Sequence, residues 1–190
     1  MRVLTKEEFL MERLFLFKKI IHDAVFIHPT DTIYGIGCNA ESEEAVKKVR
    51  KIKQRQDNPF SVIAPSKEWI KENCEADAKA EEWIDKLPGP YTLILKLKNK
   101  ECIAKSVNLG LDTLGIRIPE HWISEVIEEF GKPIVTTSAN VTGGNFMTNV
   151  DDLDSSIKSK LDFVVYEGEK KGRPSEILDL SKEEITRKKR

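Results

Sequence analysis

The chain begins with a helical pattern of apolar residues, and a strand-like pattern follows it. Thr5 and Glu8 have the spacing of a capping box, and apolar residues then recur at helical intervals, which predicts a helix from Lys6 to about His22. The β-branched and aromatic run Ala24 to Pro29 predicts a strand, since its proline ends it before a polar, glycine-containing loop. The first predicted strand therefore leads into a loop rich in hydroxyl groups.

The rest of the chain repeats this alternation of helix and strand. Helical spacing predicts further helices over Ser42 to Lys53, Ser66 to Asn73, Asp77 to Lys86, Ile123 to Phe130 and Asp151 to Lys160. Alternating or continuous apolar runs predict strands over Phe60 to Ala64, Thr92 to Leu97, Leu114 to Ile118, Ile134 to Thr137, Phe163 to Tyr166 and Glu176 to Asp179. Without internal repeats or a linker, this pattern predicts a single α/β domain over residues 1–190.

The composition suits one globular unit without a strong charge of either sign. Hydrophobic residues make up 39% of the 190 positions, which is enough for one sizeable core. Lys and Arg number 31 against 32 Asp and Glu, so RNA or DNA would have to bind at a local basic patch. The basic tail ITRKKR predicts a frayed, solvated end.

Neither a membrane segment nor a disulfide framework is indicated. Charged residues interrupt every apolar stretch well before the ~20 residues that span a bilayer, and the N-terminus lacks a signal-peptide core. We therefore expect a soluble protein of the cytoplasm. The widely spaced cysteines are Cys38, Cys74 and Cys102, and with no C-x-x-C pair they favour neither disulfides nor zinc. The histidines also lack metal-ligand spacing, so no metal site is predicted.

Polar loops follow the predicted strands, where α/β folds build their ligand sites. The loop TDTIYGIG offers hydroxyls at Thr30 and Thr32 and a carboxylate at Asp31, although a structural turn would use the same residue types. Lys53 and Arg55 could converge on one phosphate chain, or they could form a solvated basic helix end.

The segment after the strand PIVTT carries a second pair of polar groups. Ser138 and Asn140 are separated by one residue, so their side chains can face the same pocket in an extended chain, although an isolated S-x-N has almost no specificity. No Walker A sequence is present, and no G-x-G-x-x-G follows a strand. A standard P-loop or Rossmann nucleotide site is therefore disfavoured.

The order of the polar segments is more informative than any one of them. The chain carries, in sequence, PTDTIYGIG, K-x-R with NPF, PGPYT, IRIP, TSAN and GRPSEILDL. From about Val3 to Asp179, this series resembles the YrdC/TsaC family of threonylcarbamoyl-adenylate synthases. The resemblance implies a twisted mixed sheet with flanking helices and a concave basic cavity. It also implies a nucleotidyltransferase that forms threonylcarbamoyl-AMP and pyrophosphate from L-threonine, bicarbonate and ATP.

The resemblance assigns roles to individual residues. It implies threonine contacts at Thr32, Arg117, Ser138 and Ser175. It implies ATP contacts at Lys53, Arg55, Asn58, Thr113, Asn140, Thr148 and Arg187. Lys53 and Arg55 are also the expected catalytic residues, because they would neutralise phosphate charge. Mg²⁺ is expected to arrive with ATP and to be held chiefly by the phosphates.

The family's product serves the modification of tRNA position 37 to N6-threonylcarbamoyladenosine, and other proteins are expected to carry out the transfer to tRNA.

Three departures from the family pattern stand out. The stretch Arg55 to Pro59 is one residue shorter than in many relatives, Ile63 replaces a histidine of some, and Glu176 replaces the usual threonine. The chain resembles the short, single-domain form, so a lid would have to come from its own loops or tail.

Three alternatives to the synthase remain. The chain could be an RNA-binding module, although its near-zero net charge allows only local, weak binding. It could be a carbamoyl-phosphate-using domain of the hydrogenase-maturation kind, although no acylphosphatase or zinc-finger-like segment is present. An inert relative would not need to keep Lys53, Arg55, Arg117, Ser138 and Asn140 together.

Overall fold

One mixed sheet of ten strands organises the computed structural model, which describes residues 1–182 and 184–188. The strands are β1 (Arg2–Leu4), β2 (Phe26–His28), β3 (Gly35–Gly37), β4 (Ser61–Ile63), β5 (Tyr91–Lys96), β6 (Thr113–Arg117), β7 (Ile134–Ser138), β8 (Phe163–Val165), β9 (Glu176–Asp179) and β10 (Thr186–Lys188). The helices are α1 (Lys6–Ile21), α2 (Glu43–Lys53), α3 (Lys67–Asn73), α4 (Ala78–Asp85), α5 (Lys105–Asn108), α6 (Trp122–Phe130) and α7 (Ser155–Lys158).

The sheet has the order β1-β8-β2-β3-β7-β4-β6-β5-β9-β10. Strand β8 runs parallel to both β1 and β2, and β4 with β6 and β5 with β9 are also parallel pairs. The other neighbours are antiparallel. This arrangement confirms the predicted α/β class with a mixed sheet.

Alternate residues along the strands face two separate cores. On β7, Val135 belongs to a core with α2, α3, α4, α5 and α7, whereas Ile134 belongs to a core with α1 and α6. On β4, Val62 belongs to the first of these cores and Ile63 to the second. Because successive side chains of a strand point to opposite faces, the two cores lie on the two faces of the sheet.

The helices α1 and α6 leave part of their face of the sheet uncovered. Beyond Ile134, the same face of β7 presents Thr136 and Ser138, and on β6 this face carries Gly115, level with Thr136, and Arg117, level with Ile134. These residues line cavities instead of packing into a core. The functional site described below occupies this polar, uncovered part of the sheet.

Side-chain caps explain why the predicted helix starts were close to the observed ones. Glu8 N donates to Thr5 Oγ1 (3.2 Å) and Thr5 N donates to the Glu8 carboxylate (2.8 Å), which is the predicted capping box. Ser42, Ser66 and Asp77 cap α2, α3 and α4 through their side-chain oxygens. The predicted starts of α2, α3 and α4 were these capping residues, one position before the first helical residue, whereas the predicted start of α1 at Lys6 is the observed one.

The predicted helix over Asp151 to Lys160 is wrong. A short 3₁₀ turn at Val150–Asp152 and the single turn α7 take its place. Asp154 caps α7 by accepting from the backbone N of Ser156 (2.7 Å), and its side chain thereby interrupts the helical run. Short polar side chains that bond to nearby backbone compete with helix in this way.

The tail differs from the predicted frayed end. Thr186–Lys188 forms β10 and pairs antiparallel with β9, although its side chains are exposed. The last two residues of the basic run lie outside the described residues. Strands β1 and β3 were not predicted either.

The three cysteines are present in the fold as free thiols. Cys38 and Cys74 are buried, and burial raises the pKa of the Cys74 thiol to about 12. None of the helices in the described residues has the length and apolar character needed to cross a membrane.

Candidate functional site

Two adjoining cavities open on the uncovered part of the sheet. The first, of about 120 Å³, is lined by Thr30, Ile33, Tyr34, Gly35, Ser61, Thr92, Arg117, Thr136, Thr137, Ser138, Phe146, Pro174 and Ser175. The second, of about 500 Å³, is lined by Arg55, Asn58, Pro59, Phe60, Ser61, Thr92, Ile94, Thr113, Gly115, Ile177, Asp179, Thr186, Arg187 and Lys188. Ser61 and Thr92 belong to both linings, so the cavities meet at these two side chains.

A buried guanidinium group lies in the first cavity. Arg117 is 5% exposed, forms an ion pair with Asp31 and donates from Nη1 to Thr32 Oγ1 (3.2 Å). The Asp31 carboxylate also accepts from the backbone N of Glu120 (3.1 Å). These contacts hold the planar fork of Arg117 in one orientation, which is the geometry that binds a carboxylate with two hydrogen bonds.

Hydroxyl groups surround this guanidinium. The side-chain oxygens of Thr92 and Ser175 lie 2.7 Å apart, and Ser138 Oγ donates to Asn140 Oδ1 (2.6 Å). Ser138 and Ser175 line the same cavity as Arg117, and all three are among the residues for which threonine contacts are predicted. Thr32 borders this group through its hydrogen bond to Arg117.

A loop from residue 167 to residue 175 forms one wall of the first cavity and passes very close to Thr32. A Cβ atom on Gly172 would lie 1.8 Å from the carbonyl oxygen of Thr32, so the backbone approaches more closely than a side chain would allow. The wall ends at Pro174 and Ser175, which both line the cavity. Glycine at position 172 is thus required for the wall to close on the TDTIYGIG loop.

The base of this wall is anchored by Glu167. Its carboxylate accepts from Trp122 Nε1 (2.7 Å), contacts His121 Nε2 (2.8 Å) and pairs with Lys170 (2.6 Å). Burial alone would raise the pKa of Glu167, but these hydrogen bonds outweigh it and lower the pKa to about 2. Tyr34 Oη adds a link by donating to the carbonyl of Gly168 (2.6 Å).

Lys53 is buried at the end of α2, with 1% of its surface exposed. Its ammonium group donates to the carbonyls of Ser138 (2.5 Å) and Asn140 (2.8 Å) and to Asn140 Oδ1 (3.1 Å). Burial and the nearby charge of Arg55 lower the pKa of Lys53 to about 7. Lys53 therefore binds the end of β7 and the segment after it, and it is not among the described residues that line the two cavities.

The second cavity contains most of the predicted ATP contacts. Arg55, Asn58 and Thr113 line it, and Arg55 donates from Nη2 to the carbonyl of Pro59 (2.8 Å). At Gly115 a Cβ atom would lie 2.6 Å from Ser61 Oγ, so glycine keeps the floor of the cavity low beside that hydroxyl. The lining includes the charged residues Arg55, Arg187, Lys188 and Asp179 together with hydroxyl, amide and apolar residues.

The register of β10 bears on the predicted role of Arg187. Thr186 and Lys188 are opposite Asp179 and Ile177, which face the second cavity, whereas Arg187 is opposite a residue of the other face. The guanidinium of Arg187 lies 5.2 Å from the centre of the Trp83 ring. Arg187 thus borders the cavity while its charge lies over the ring.

Two further predicted ATP contacts lie apart from the cavity linings. Asn140 is occupied by Lys53 and Ser138, and its Nδ2 donates to the carbonyl of Gly144 (2.7 Å). Thr148 Oγ1 donates to Asp152 (2.6 Å). Neither Asn140 nor Thr148 is among the described residues that line the two cavities.

The sequence predictions missed Ser61 and Thr92, the two residues shared by the cavities. The alternating run TLILKL could have placed Thr92 on the polar face of its strand, but nothing in the sequence pairs it with Ser61. In the described part of the chain, no group of three or more His, Cys, Asp or Glu side chains is arranged to hold a metal ion.

Comparison with protein families gives a match over nearly the whole chain. The model of the Sua5/YciO/YrdC family, described under telomere recombination, matches residues 18–188. A Methanocaldococcus jannaschii protein, provisionally named as a threonylcarbamoyl-AMP synthase, is 39% identical over 177 residues, which cover 90% of this chain and 81% of that protein. The threonylcarbamoyl-AMP synthase of Vibrio campbellii is 30% identical and covers 86% of this chain and 91% of its own length.

A solved structure supports the same relationship. The crystal structure of P. abyssi Sua5 complexed with L-threonine superposes with a TM-score of 0.86 at 27% identity and covers 98% of this chain. The chain spans only 56% of the length of that Sua5 protein. The likeness therefore extends over nearly all of this chain and concerns one part of the longer protein.

Proposed function

This chain belongs to the Sua5/YciO/YrdC family, and on that premise we propose that it is a threonylcarbamoyl-AMP synthase. The proposed reaction joins L-threonine, bicarbonate and ATP, and it releases pyrophosphate. One observation carries the proposal: a small cavity with a fixed guanidinium group adjoins a larger cavity that contains Arg55. This is the arrangement needed to hold an amino acid beside the phosphates of a nucleotide.

Threonine fits the chemistry of the first cavity. Arg117 would pair with its carboxylate, and the hydroxyls of Thr92 and Ser175 would be partners for its side-chain hydroxyl. A substrate without that hydroxyl would leave buried polar groups unpaired, which is how a site of this kind rejects an analogue. The threonine complex of P. abyssi Sua5 supports this assignment.

ATP, as its magnesium complex, fits the second cavity. Arg55 would neutralise phosphate charge, and Asn58 and Thr113 lie where they could contact the nucleotide. We expect the magnesium ion to be held chiefly by the phosphate oxygens. Lys53 would contribute mainly by fixing the segment that carries Ser138 and Asn140, and it would reach the phosphates only after rearrangement.

The proposed chemistry proceeds in two steps without a covalent enzyme intermediate. The amino nitrogen of threonine bonds to the carbon of bicarbonate, and water leaves as the carbamate forms. A carbamate oxygen then bonds to the α-phosphorus of ATP, and the bond to pyrophosphate breaks. Holding the reactants in adjoining cavities makes the second step effectively unimolecular. Exclusion of water would preserve the unstable carbamate until then.

The product would serve tRNA modification in the cytoplasm, where other proteins would transfer the threonylcarbamoyl group to adenosine 37. Direct tRNA binding by this chain is expected to be local and weak, since its net charge is −1.

Pyrophosphate release tests the proposal. The purified protein is incubated with ATP, magnesium, bicarbonate and L-threonine, and threonine or bicarbonate is omitted in turn. We expect release that needs both and that falls by at least about 100-fold in Arg55→Ala. The control is Lys132→Ala, which removes a surface ion pair with Glu41 and should keep full activity. Release without threonine would favour carbamoyl transfer, and RNA binding without release would favour an RNA-binding module.

A further inference from the structure

Arg50 is a buried cation whose partners are backbone carbonyl groups. It lies on α2, three residues before Lys53, and is 6% exposed. Its Nη1 donates to the carbonyls of Arg55 (3.0 Å) and Asn58 (3.2 Å). Its Nε donates to the carbonyl of Ser106 (2.7 Å), and its Nη2 donates to that of Val107 (3.2 Å). One side chain thus ties two separate segments to α2.

The segment bound by Nη1 is the one that enters the second cavity. It leaves α2 at Gln54, whose φ of 50° turns the chain out of the helix. Arg55 and Asn58 line the cavity, while their carbonyls accept hydrogen bonds from Arg50 Nη1. The five coplanar N–H donors of one guanidinium can bind such converging carbonyls, whereas a lysine ammonium is a single point charge.

Arg50 also supports the Arg55 side chain through an aromatic ring. The guanidinium carbons of Arg50 and Arg55 lie 4.5 Å and 5.2 Å from the centre of the Phe60 ring. The backbone N of Phe60 donates to the carbonyl of Val107 (2.8 Å), a group that Arg50 binds as well. The position of the Arg55 guanidinium therefore depends on Arg50 through both the backbone and the ring.

We propose that Arg50 is the positioning residue of the ATP-binding half of the site. It preorganises the segment 54–59 so that Arg55 and Asn58 face the nucleotide before it binds. Arg50 itself lies behind this segment and does not touch the substrate. The inference rests on the proposed function, because it assigns ATP to the second cavity.

Two variants with a matched control test the proposal. Arg50→Met keeps a long side chain and removes the donors, and Arg50→Lys keeps the charge and loses the fork. The control Glu43→Ala removes the hydrogen bonds of Glu43 to Ser106, which join α2 to α5, and leaves the segment 54–59 bound to Arg50. If Arg50 served only to join α2 to α5, Glu43→Ala would have the same effect on ATP binding as loss of the Arg50 hydrogen bonds.

We expect Arg50→Met to raise KM for ATP by about 10- to 100-fold and to change KM for threonine by less than about threefold. Arg50→Lys should give an intermediate KM for ATP, and Glu43→Ala should keep the wild-type value. Equal changes in KM for ATP and KM for threonine would overturn the proposal. The same KM for ATP in Arg50→Met and Glu43→Ala would also overturn it.

Calorimetric titration with magnesium-ATP alone separates this proposal from the proposed function. If the wild type binds ATP but releases no threonine-dependent pyrophosphate, the synthase assignment fails while Arg50→Met still tests the positioning role. Unchanged ATP affinity in Arg50→Met would contradict that role.

Should this variant not fold, Phe60→Leu removes the shared ring, and we expect it to weaken ATP binding by at least about threefold. Wild-type affinity in Phe60→Leu would then overturn the proposal.

Discussion

Lys53 donates hydrogen bonds to both the backbone carbonyl (2.8 Å) and the side-chain oxygen (3.1 Å) of Asn140. The ammonium group thereby joins the last residue of α2 to the segment that follows β7. Because the ammonium group also binds the carbonyl of Ser138, the last residue of β7, one buried cation fixes a wall of the first cavity from behind. The cost of burying that cation makes its influence measurable through the dependence of stability on pH.

The free energy of unfolding should rise with pH above about 7 because of Lys53. Its pKa is about 7 in the folded protein, below the ordinary 10.5, so the unfolded chain binds more protons between these two values. The expected rise is at most on the order of 1 kcal/mol per pH unit. The rise in the free energy of unfolding is measured by urea unfolding of the wild type and of Lys53→Met between pH 6 and about 9.5. A difference between the two proteins that stays constant with pH would contradict the prediction.

Arg117→Lys should weaken threonine binding while ATP binding is kept. A lysine cannot pair with Asp31, Thr32 and a substrate carboxylate through one planar fork, so we expect KM for threonine to rise by about 10- to 100-fold. KM for ATP should change by less than about threefold. Lys132→Ala, a surface change, serves as the control. A parallel increase in both KM values would argue against separate cavities for the two substrates.

Gly115→Ala should weaken ATP binding more than threonine binding, the reverse of what we expect for Arg117→Lys. The new methyl group would lie 2.6 Å from Ser61 Oγ at the floor of the second cavity, so the hydroxyl or the backbone must move. We expect destabilisation of about 1–3 kcal/mol from overpacking and a larger effect on ATP affinity than on threonine affinity. Thermal unfolding and calorimetric titration check the two parts. Gly89→Ala, whose methyl would lie 3.2 Å from the Tyr91 ring and 3.7 Å from the carbonyl oxygen of Lys86, is the matched control.

Glu167→Gln should loosen the wall that runs from residue 167 to residue 175. The amide cannot pair with Lys170 and accept from Trp122 and His121 as the carboxylate does, so we expect about 1 kcal/mol of lost stability. The pKa of Glu167 is lowered to about 2, so its contribution is complete above pH 4.5 and is lost as pH falls toward 2. Hydrogen exchange of residues 167–175 should accelerate. Unchanged exchange would show that Gly172 and Tyr34 suffice to hold the wall.

Local chemistry made the helices predictable from the sequence, whereas the short strands depend on their neighbours. The capping residues Thr5, Ser42 and Asp77 mark helix starts wherever they stand, because their hydrogen bonds are local. The strand Gly35–Gly37 consists of GIG, which has little strand propensity and forms because β2 and β7 flank it. Propensity alone could not identify that strand.

The site could be predicted as a set of residues and only partly as a geometry. Arg117, Ser138 and Ser175 do line one cavity, as the ordered motifs indicated. The close spacing of Lys53 and Arg55 suggested a shared target, but α2 ends between them and their charged groups contact different segments. Side-chain direction after a helix end depends on such tertiary contacts, which a motif does not encode.

The two cavities meet at Ser61 and Thr92, so no wall of protein separates them at that point. If each cavity holds one substrate, the adenylate product occupies both at once, and its two halves contribute to a single binding free energy. A stable compound that links an adenosine group to a threonine group would lose translational freedom only once on binding. This junction therefore makes the protein a natural target for a two-part inhibitor, and linker length would be the first variable to optimise.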